Sequence, residues 1–293
     1  MLRELPAPLA VVCHDAGAAN HVFAWLAAEA VTCRALVAGP AADLWAQRFP
    51  GRASCASLDE ALDGAATVLS GSGWGSELEH AARLGAHARG IGSIAVVDHW
   101  VNYAPRFERN GQRVLPDEVW VTDEHALAQA RRCFPGLTLR QQPNLYLDEA
   151  CRDIAPVEQS GPDLLVVMEP ARSDWGRGRA GEFQALDHLV AHLSELALPS
   201  GARLRLRPHP SDSPGKYEAW IGAQPAGLAL LDDAPTLFDA ICGCASVAGC
   251  ESYAMVVALA SRRRVVCMLP PWAPACRLPH AGIARLGEEA VIP

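Results

Sequence analysis

Short, largely apolar runs alternate along this chain with stretches of helical spacing. The runs at 8–13 (PLAVVC), 33–38, 65–69, 94–97 and 119–122 are predicted strands. Continuous apolar character suits strands buried on both faces of a parallel sheet, whereas a half-exposed antiparallel strand would alternate. Between them the spacing predicts helices over 21–30, 41–48, 78–88 and 125–133. The rhythm fades after Asn144, and 149–162 reads as a linker. It then resumes with strands over 164–168, 203–207, 228–231, 245–248 and, as the last, 264–268. Helices are expected over 181–196, 217–221, 236–241 and 253–260. Two such series predict an α/β fold with two Rossmann-like domains, residues 1–150 and 151–293.

Composition narrows the function. With 293 residues, 50% hydrophobic and 20% charged, the chain can bury a core in each domain. A net charge of -8 argues against a general nucleic-acid binder, which needs a basic footprint. No apolar run approaches the roughly 18 residues of a membrane span. Residues 1–8 lack the basic and apolar segments of a secretory signal. A cytoplasmic location is expected, with at most a peripheral place at the inner membrane. The ten cysteines of such a chain are most simply reduced and packed. Cys242, Cys244 and Cys250 lack the paired spacing of a zinc knuckle, and no metal is expected there.

Candidate chemistry sits in the loops that follow the predicted strands, the edge where open α/β sheets bind ligands. The first loop is His14-Asp15-Ala16-Gly17, in which Asp15 can be a general base or the N-cap of the next helix. After the third run comes Ser70-Gly71-Ser72-Gly73-Trp74-Gly75-Ser76-Glu77. Ser76 and Glu79 fit a capping box, and Trp74, flanked by glycines, can stack on a sugar or line a cleft. Asp98, His99 and Trp100 follow the fourth run and read as a pocket wall, since adjacent side chains face different ways. In the second half, Arg205-Leu206-Arg207-Pro208-His209-Pro210-Ser211-Asp212 ends a strand on a proline-fixed turn. Two arginines and a histidine there suit an anion, while a Pro-rich loop with solvated charges is the structural alternative. Glu169 and Arg172 either line a hinge or form a surface ion pair. Glu251 and Ser252 precede a helix, Glu251 as a cap or a ribose contact. Asp232-Asp233 reads as a solvated turn.

Two α/β halves with polar loops at their carboxyl edges resemble the GT-B architecture of nucleotide-sugar glycosyltransferases. Arg207-Pro208-His209-Pro210 is similar to the HP motif of bacterial GT-B sialyltransferases and polysialyltransferases. The resemblance implies two GT-B-like domains facing each other across a cleft, with the donor nucleotide held by the second. It implies that Asp15 is the catalytic base and that His209 meets the donor phosphate. Arg207, Glu251, Ser252, Glu169 and Arg172 would complete the donor site. His14, Gly17, Trp74, Asp98, His99 and Trp100 would form the acceptor side. The implied activity is a metal-independent transfer from a nucleotide-activated sugar, such as a CMP-linked nonulosonic acid, to a glycan or small-molecule acceptor during surface polysaccharide assembly. No cofactor beyond the donor is implied. Three alternatives stand beside it: a UDP-GlcNAc 2-epimerase-like enzyme, a CDP-glycerol transferase-like enzyme, and a non-catalytic nucleotide-binding scaffold. The epimerase alternative needs more acids in the cleft than the sequence alone places there.

Overall fold

The computed structural model describes residues 1–169 and 173–287, and the chain forms two units, Met1–Tyr146 and Leu147–Pro293. The first unit opens with β1 (Leu9–Cys13), α1 (Ala16–Glu29), β2 (Cys33–Val37), α2 (Pro40–Arg48) and α3 (Leu58–Leu62). It continues through β3 (Thr67–Ser70), α4 (Leu78–Arg89), β4 (Gly92–Val96) and a small hairpin of β5 (Glu108–Arg109) and β6 (Gln112–Arg113). β7 (Glu118–Val121), α5 (Glu124–Cys133) and β8 (Thr138–Gln141) close it.

Six parallel strands in the order β2-β1-β3-β4-β7-β8 make the first sheet. β1 is buried throughout, as the run PLAVVC requires. Phe23, Trp25 and Trp45 pack from α1 and α2 against one face, and Leu62, Ala82 and Ala86 from α3 and α4 against the other. The chain leaves β1 towards β2 and returns on the opposite side to β3. That reversal puts the loops after β1 and β3 side by side, at the kind of switch point where open sheets bind ligands. The register pairs Val12 with Ser70, so the two strands end level.

α6 (Leu145–Asp153) carries the chain from the first unit into the second, so part of the expected linker is helical. The second unit runs β9 (Gly161–Val167), α7 (Gly181–Ala191), β10 (Leu204–Arg207), α8 (Glu218–Gly222) and β11 (Ala229–Leu231). α9 (Leu237–Cys242), β12 (Cys244–Gly249), α10 (Tyr253–Ala260), β13 (Arg264–Cys267) and β14 (Ile283–Arg285) follow. Its six parallel strands take the order β11-β10-β9-β12-β13-β14, with the switch point between β9 and β12. The core beneath gathers Leu164, Val166 and Met168 with Leu186, Leu189 and Trp220. The fold is therefore α/β with two Rossmann-like units, in the GT-B manner.

Three expectations need correction. α1 begins at Ala16, five residues before the expected start, because the small residues of the first loop enter the helix. β8 was not expected; it has only Leu139 half-buried and Thr138, Arg140 and Gln141 exposed, so no apolar run announces it. The strand at 264–267 is not the last, since the short β14 pairs beside it. Among the described residues, no helix is long and apolar enough to cross a membrane.

Candidate functional site

At the carboxyl edge of the first sheet, three carboxylates fit against three glycines. A Cβ on Gly73 would lie 1.7 Å from the Asp15 carboxylate, one on Gly17 1.8 Å from Asp98, and one on Gly71 2.2 Å from Glu79. These glycines are needed because an acid occupies the space of their missing side chains. The loop residues are small so that the strand ends can hold charge.

Glu79 corrects the sequence reading. It does not close a capping box: Glu77 is the N-cap of α4, and the Ser76 hydroxyl accepts from the Leu78 amide at 3.1 Å. The Glu79 carboxylate instead accepts the His14 amide at 3.0 Å and the Gly73 amide at 2.5 Å, tying the β1 and β3 loops together. Asp15 occupies the N-cap position of α1 without a capping hydrogen bond from its side chain. Its carboxylate pairs with His14 Nδ1 at 2.7 Å and stays one-third exposed. Asp98 pairs with Arg106 at 2.7 Å, and the Arg106 guanidinium lies 5.4 Å from the ring centre of Trp74, which is 48% exposed. Trp74 is thus an open aromatic face, not a core plug.

The two inner carboxylates titrate in opposite directions. Burial pushes Glu79 up, against two backbone donors, with the Asp15 charge adding to the rise. Burial also acts on Asp98, but Arg106 and His99 outweigh it and hold Asp98 below the ordinary carboxylate range. The His99 ring sits edge-on to Trp100, 5.2 Å between centres. Trp100 itself is buried, its indole donating to Asp123 at 2.8 Å, so it anchors the loop from within the unit.

The second sheet's edge is arranged otherwise. Asp232, read from sequence as solvated, is fully buried and takes hydrogen bonds from both Arg205 and Arg207. The backbone drives this: β11 delivers Asp232 beside β10, and its amide donates to the Leu206 carbonyl at 2.7 Å. Arg207 also donates to the Ala234 carbonyl at 3.0 Å. The turn after it is braced by Asp212, which accepts from the His209 amide, the Tyr217 hydroxyl and the ammonium of Lys216. Lys216 reaches on to Glu182 at 2.8 Å, pinning the turn to α7. Burial lowers the His209 imidazole below its ordinary value. His209 Nδ1 accepts the Ser211 amide at 3.1 Å, which assigns the ring hydrogen to Nε2.

At the β9–β12 switch point, Glu169 accepts the Glu251 amide. The Glu251 carboxylate is buried and gripped by Arg277, at 2.7 Å from both its amide and Nη2. Glu251 is neither a helix cap nor a repulsive charge, since Arg277 compensates it. Ser252 is the N-cap of α10, its hydroxyl accepting the Ala254 amide at 3.2 Å. Arg172 lies outside the described residues. Among the described residues, no group of three or more His, Cys, Asp and Glu side chains is placed to hold a metal ion.

The chain matches no protein-family model and no curated protein sequence. Its fold is similar to solved structures. Staphylococcus aureus MnaA in complex with UDP aligns over 88% of this chain and 78% of its own, with a TM-score of 0.60 and 11% identity. UDP-GlcNAc 2-epimerase from Neisseria meningitidis, bound to UDP-GlcNAc, aligns over 84% and 78%, with a TM-score of 0.53 and 11% identity. A UDP-N-acetylglucosamine 2-epimerase from Rickettsia bellii aligns over 82% and 73%, with a TM-score of 0.50 and 10% identity. At these identities the likeness is one of fold.

Proposed function

We propose that this chain is a nucleotide-sugar enzyme of the 2-epimerase kind, with first-unit carboxylates suited to moving protons at a sugar. The observation that carries the reading is the set of Asp15, Glu79 and Asp98 seated against glycines at one sheet edge, with Asp15 and Asp98 partly exposed. Inverting a carbon that bears hydrogen needs a base to take a proton and an acid to return one. Asp98, ionised and partly exposed, suits the base. The Asp15–His14 pair, also partly exposed, suits the acid side. Glu79 is too buried to reach a sugar and acts as a positioning group for both loops. The open face of Trp74 suits a pyranose ring.

On the second unit, the Nε2 hydrogen of His209 and the N-terminus of α10 at Ser252 suit a phosphate. Phosphate charge is then met by side chains and a helix end, with no step routed through a metal. UDP in the MnaA structure and UDP-GlcNAc in the N. meningitidis structure support a uridine nucleotide as the ligand.

Solvent deuterium decides the matter. An epimerase of this kind, given UDP-GlcNAc in deuterium oxide, incorporates deuterium at C2 of the sugar. A second reading, transfer of the sugar to an acceptor hydroxyl, rests on Asp15 as sole base and His209 against the leaving phosphate. It predicts nucleotide release only when acceptor is present, without exchange at C2. Nucleotide binding with neither outcome would leave a non-catalytic scaffold. No thermal stabilisation by UDP, CMP, CDP or GDP would sink all three, since ligand at about 100 times its Kd adds about 2.7 kcal/mol.

A further inference from the structure

Away from the loops discussed above, the second unit holds a cavity of about 780 Å³. α7 and the segment between β13 and β14 build its walls, with His188, Trp272 and Arg285 among the lining side chains. Two cysteines share that wall, Cys267 at the end of β13 and Cys276 in the following segment. The two thiols lie close enough for each to shift the other. Both also lie within donating distance of one acceptor, the Cys250 carbonyl oxygen, at 3.4 and 3.5 Å. A cysteine serving only as a small hydrophobe needs neither a second sulfur, nor a shared polar acceptor, nor an open cavity beside it.

We propose that Cys267 and Cys276 form an oxidisable dithiol, with a hydroperoxide entering the cavity as its oxidant. The Cys276 thiolate attacks the peroxide, the O–O bond breaks, one water leaves, and the sulfur becomes a sulfenic acid. The Cys267 thiol then attacks that sulfur, the S–S bond forms as the S–O bond breaks, and a second water leaves. Two thiols lose two electrons and two protons, and hydrogen peroxide takes up both. The neighbouring Cys267 thiol lowers the Cys276 thiol against the effect of burial, helped by the Leu278 amide and Arg285. The same contact, with burial, pushes Cys267 up. Access sets the same order, since Cys276 is half-buried and Cys267 fully buried, and the thiolate is the nucleophile.

Closing the disulfide removes both S–H donors from the Cys250 carbonyl. The residue after Cys250 is Glu251, and the residue after Cys276 is Arg277, which grips it. Oxidation therefore acts on both ends of that ion pair. The claim rests on the thiols alone and holds whatever ligand the loop receives.

The test exposes the full chain to a small excess of hydrogen peroxide, alkylates the remaining thiols and identifies the peptides by mass spectrometry. A cross-linked Cys267–Cys276 peptide, two hydrogens lighter, is expected to form before any other cysteine is modified and to revert with dithiothreitol. In C276S, Cys267 stays open to alkylation under the same conditions. Amide hydrogen exchange across 250–254 rises several-fold on oxidation and falls back on reduction. Oxidation of the half-exposed Cys133 or Cys151 while Cys267 and Cys276 both remain alkylatable would overturn the dithiol. So would a Cys276 that stops at the sulfenic acid. Unchanged exchange across 250–254 after cross-linking would overturn the link to Glu251. The wild-type cross-link is read without any variant and without turnover, so neither misfolding of C276S nor failure of the epimerase reading clouds it.

Discussion

Both sheets end in polar loops at a switch point, yet the two edges hold charge in opposite ways. On the first, acids lie against glycine backbone, and two of them, Asp15 and Asp98, keep an exposed side. On the second, among the described residues, Arg205 and Arg207 are answered by Asp232, and Glu251 by Arg277. The lesson is about what an ion pair leaves available. A guanidinium already spent on a buried carboxylate stiffens a turn, while a partly exposed carboxylate beside one arginine can still exchange a proton. On the proposed reading the first edge serves the chemistry, and the second holds its shape.

The sharpest way to break this contrast is Asp98→Asn. Removing a general base costs on the order of 10²–10⁴-fold in turnover. UDP affinity, measured by calorimetry, should stay near wild type because the change lies in the other unit. Equal losses of turnover and UDP binding would dissolve the division of labour.

The next effect concerns pH. His21 is buried near Trp25 and Tyr146, and burial lowers it to about 4 although Asp98 and Asp123 pull the other way. The unfolded chain therefore binds this proton more tightly, so the contribution is lost as pH falls from about 6.5 towards 4, at a cost of about 3 kcal/mol. Denaturant midpoints for His21→Gln should fall less between pH 7 and pH 5 than those of wild type. Asp98, held low, loses its contribution only below the ordinary carboxylate range, outside that window. The raised Glu79 works in the opposite sense as pH rises, and is common to both proteins. Parallel pH curves for the two proteins would refute the assignment.

Smaller changes probe the second edge. Asp232→Ala leaves two partly exposed arginines unanswered. After discounting for that exposure the loss is about 2–3 kcal/mol, visible as a melting temperature several degrees lower. If Asp232 were an ordinary solvated acid, melting would not move. Ser252→Ala is the mildest: it removes the side-chain cap of α10 and costs about 1 kcal/mol. UDP binding should weaken along with it, and unchanged UDP affinity would detach the α10 terminus from the nucleotide.

The central strands were legible because burial on both faces leaves an apolar run, and α10 was legible as a continuous apolar stretch over the same residues, Tyr253–Ala260. β14, three residues at a sheet edge with two exposed, carries no such run. The site was half legible. Asp15, Asp98 and His209 stand at strand ends and can be found by position. Glu79 was hidden by a coincidence of spacing, because Ser76-x-x-Glu79 mimics a capping box at the head of a helix. Only the return of α4 over the β1 loop turns that carboxylate inward. Asp232 was hidden by its neighbour: two adjacent acids in a turn look solvated until β11 pairs with β10 and buries one of them. Both misses concern acids whose partners come from other strands or loops, and local pattern cannot see across that separation.

The glycine–carboxylate fit has a consequence for how such a chain can change over time. A side chain cannot be added at position 17, 71 or 73 without displacing the acid opposite, and an acid cannot be shortened without opening a hole beside bare backbone. Each pair is therefore a single heritable character written at two places in the chain. Relatives should keep or lose both members together, so paired substitution at 17 with 98, 71 with 79 and 73 with 15 would trace this edge in sequences too divergent to align elsewhere.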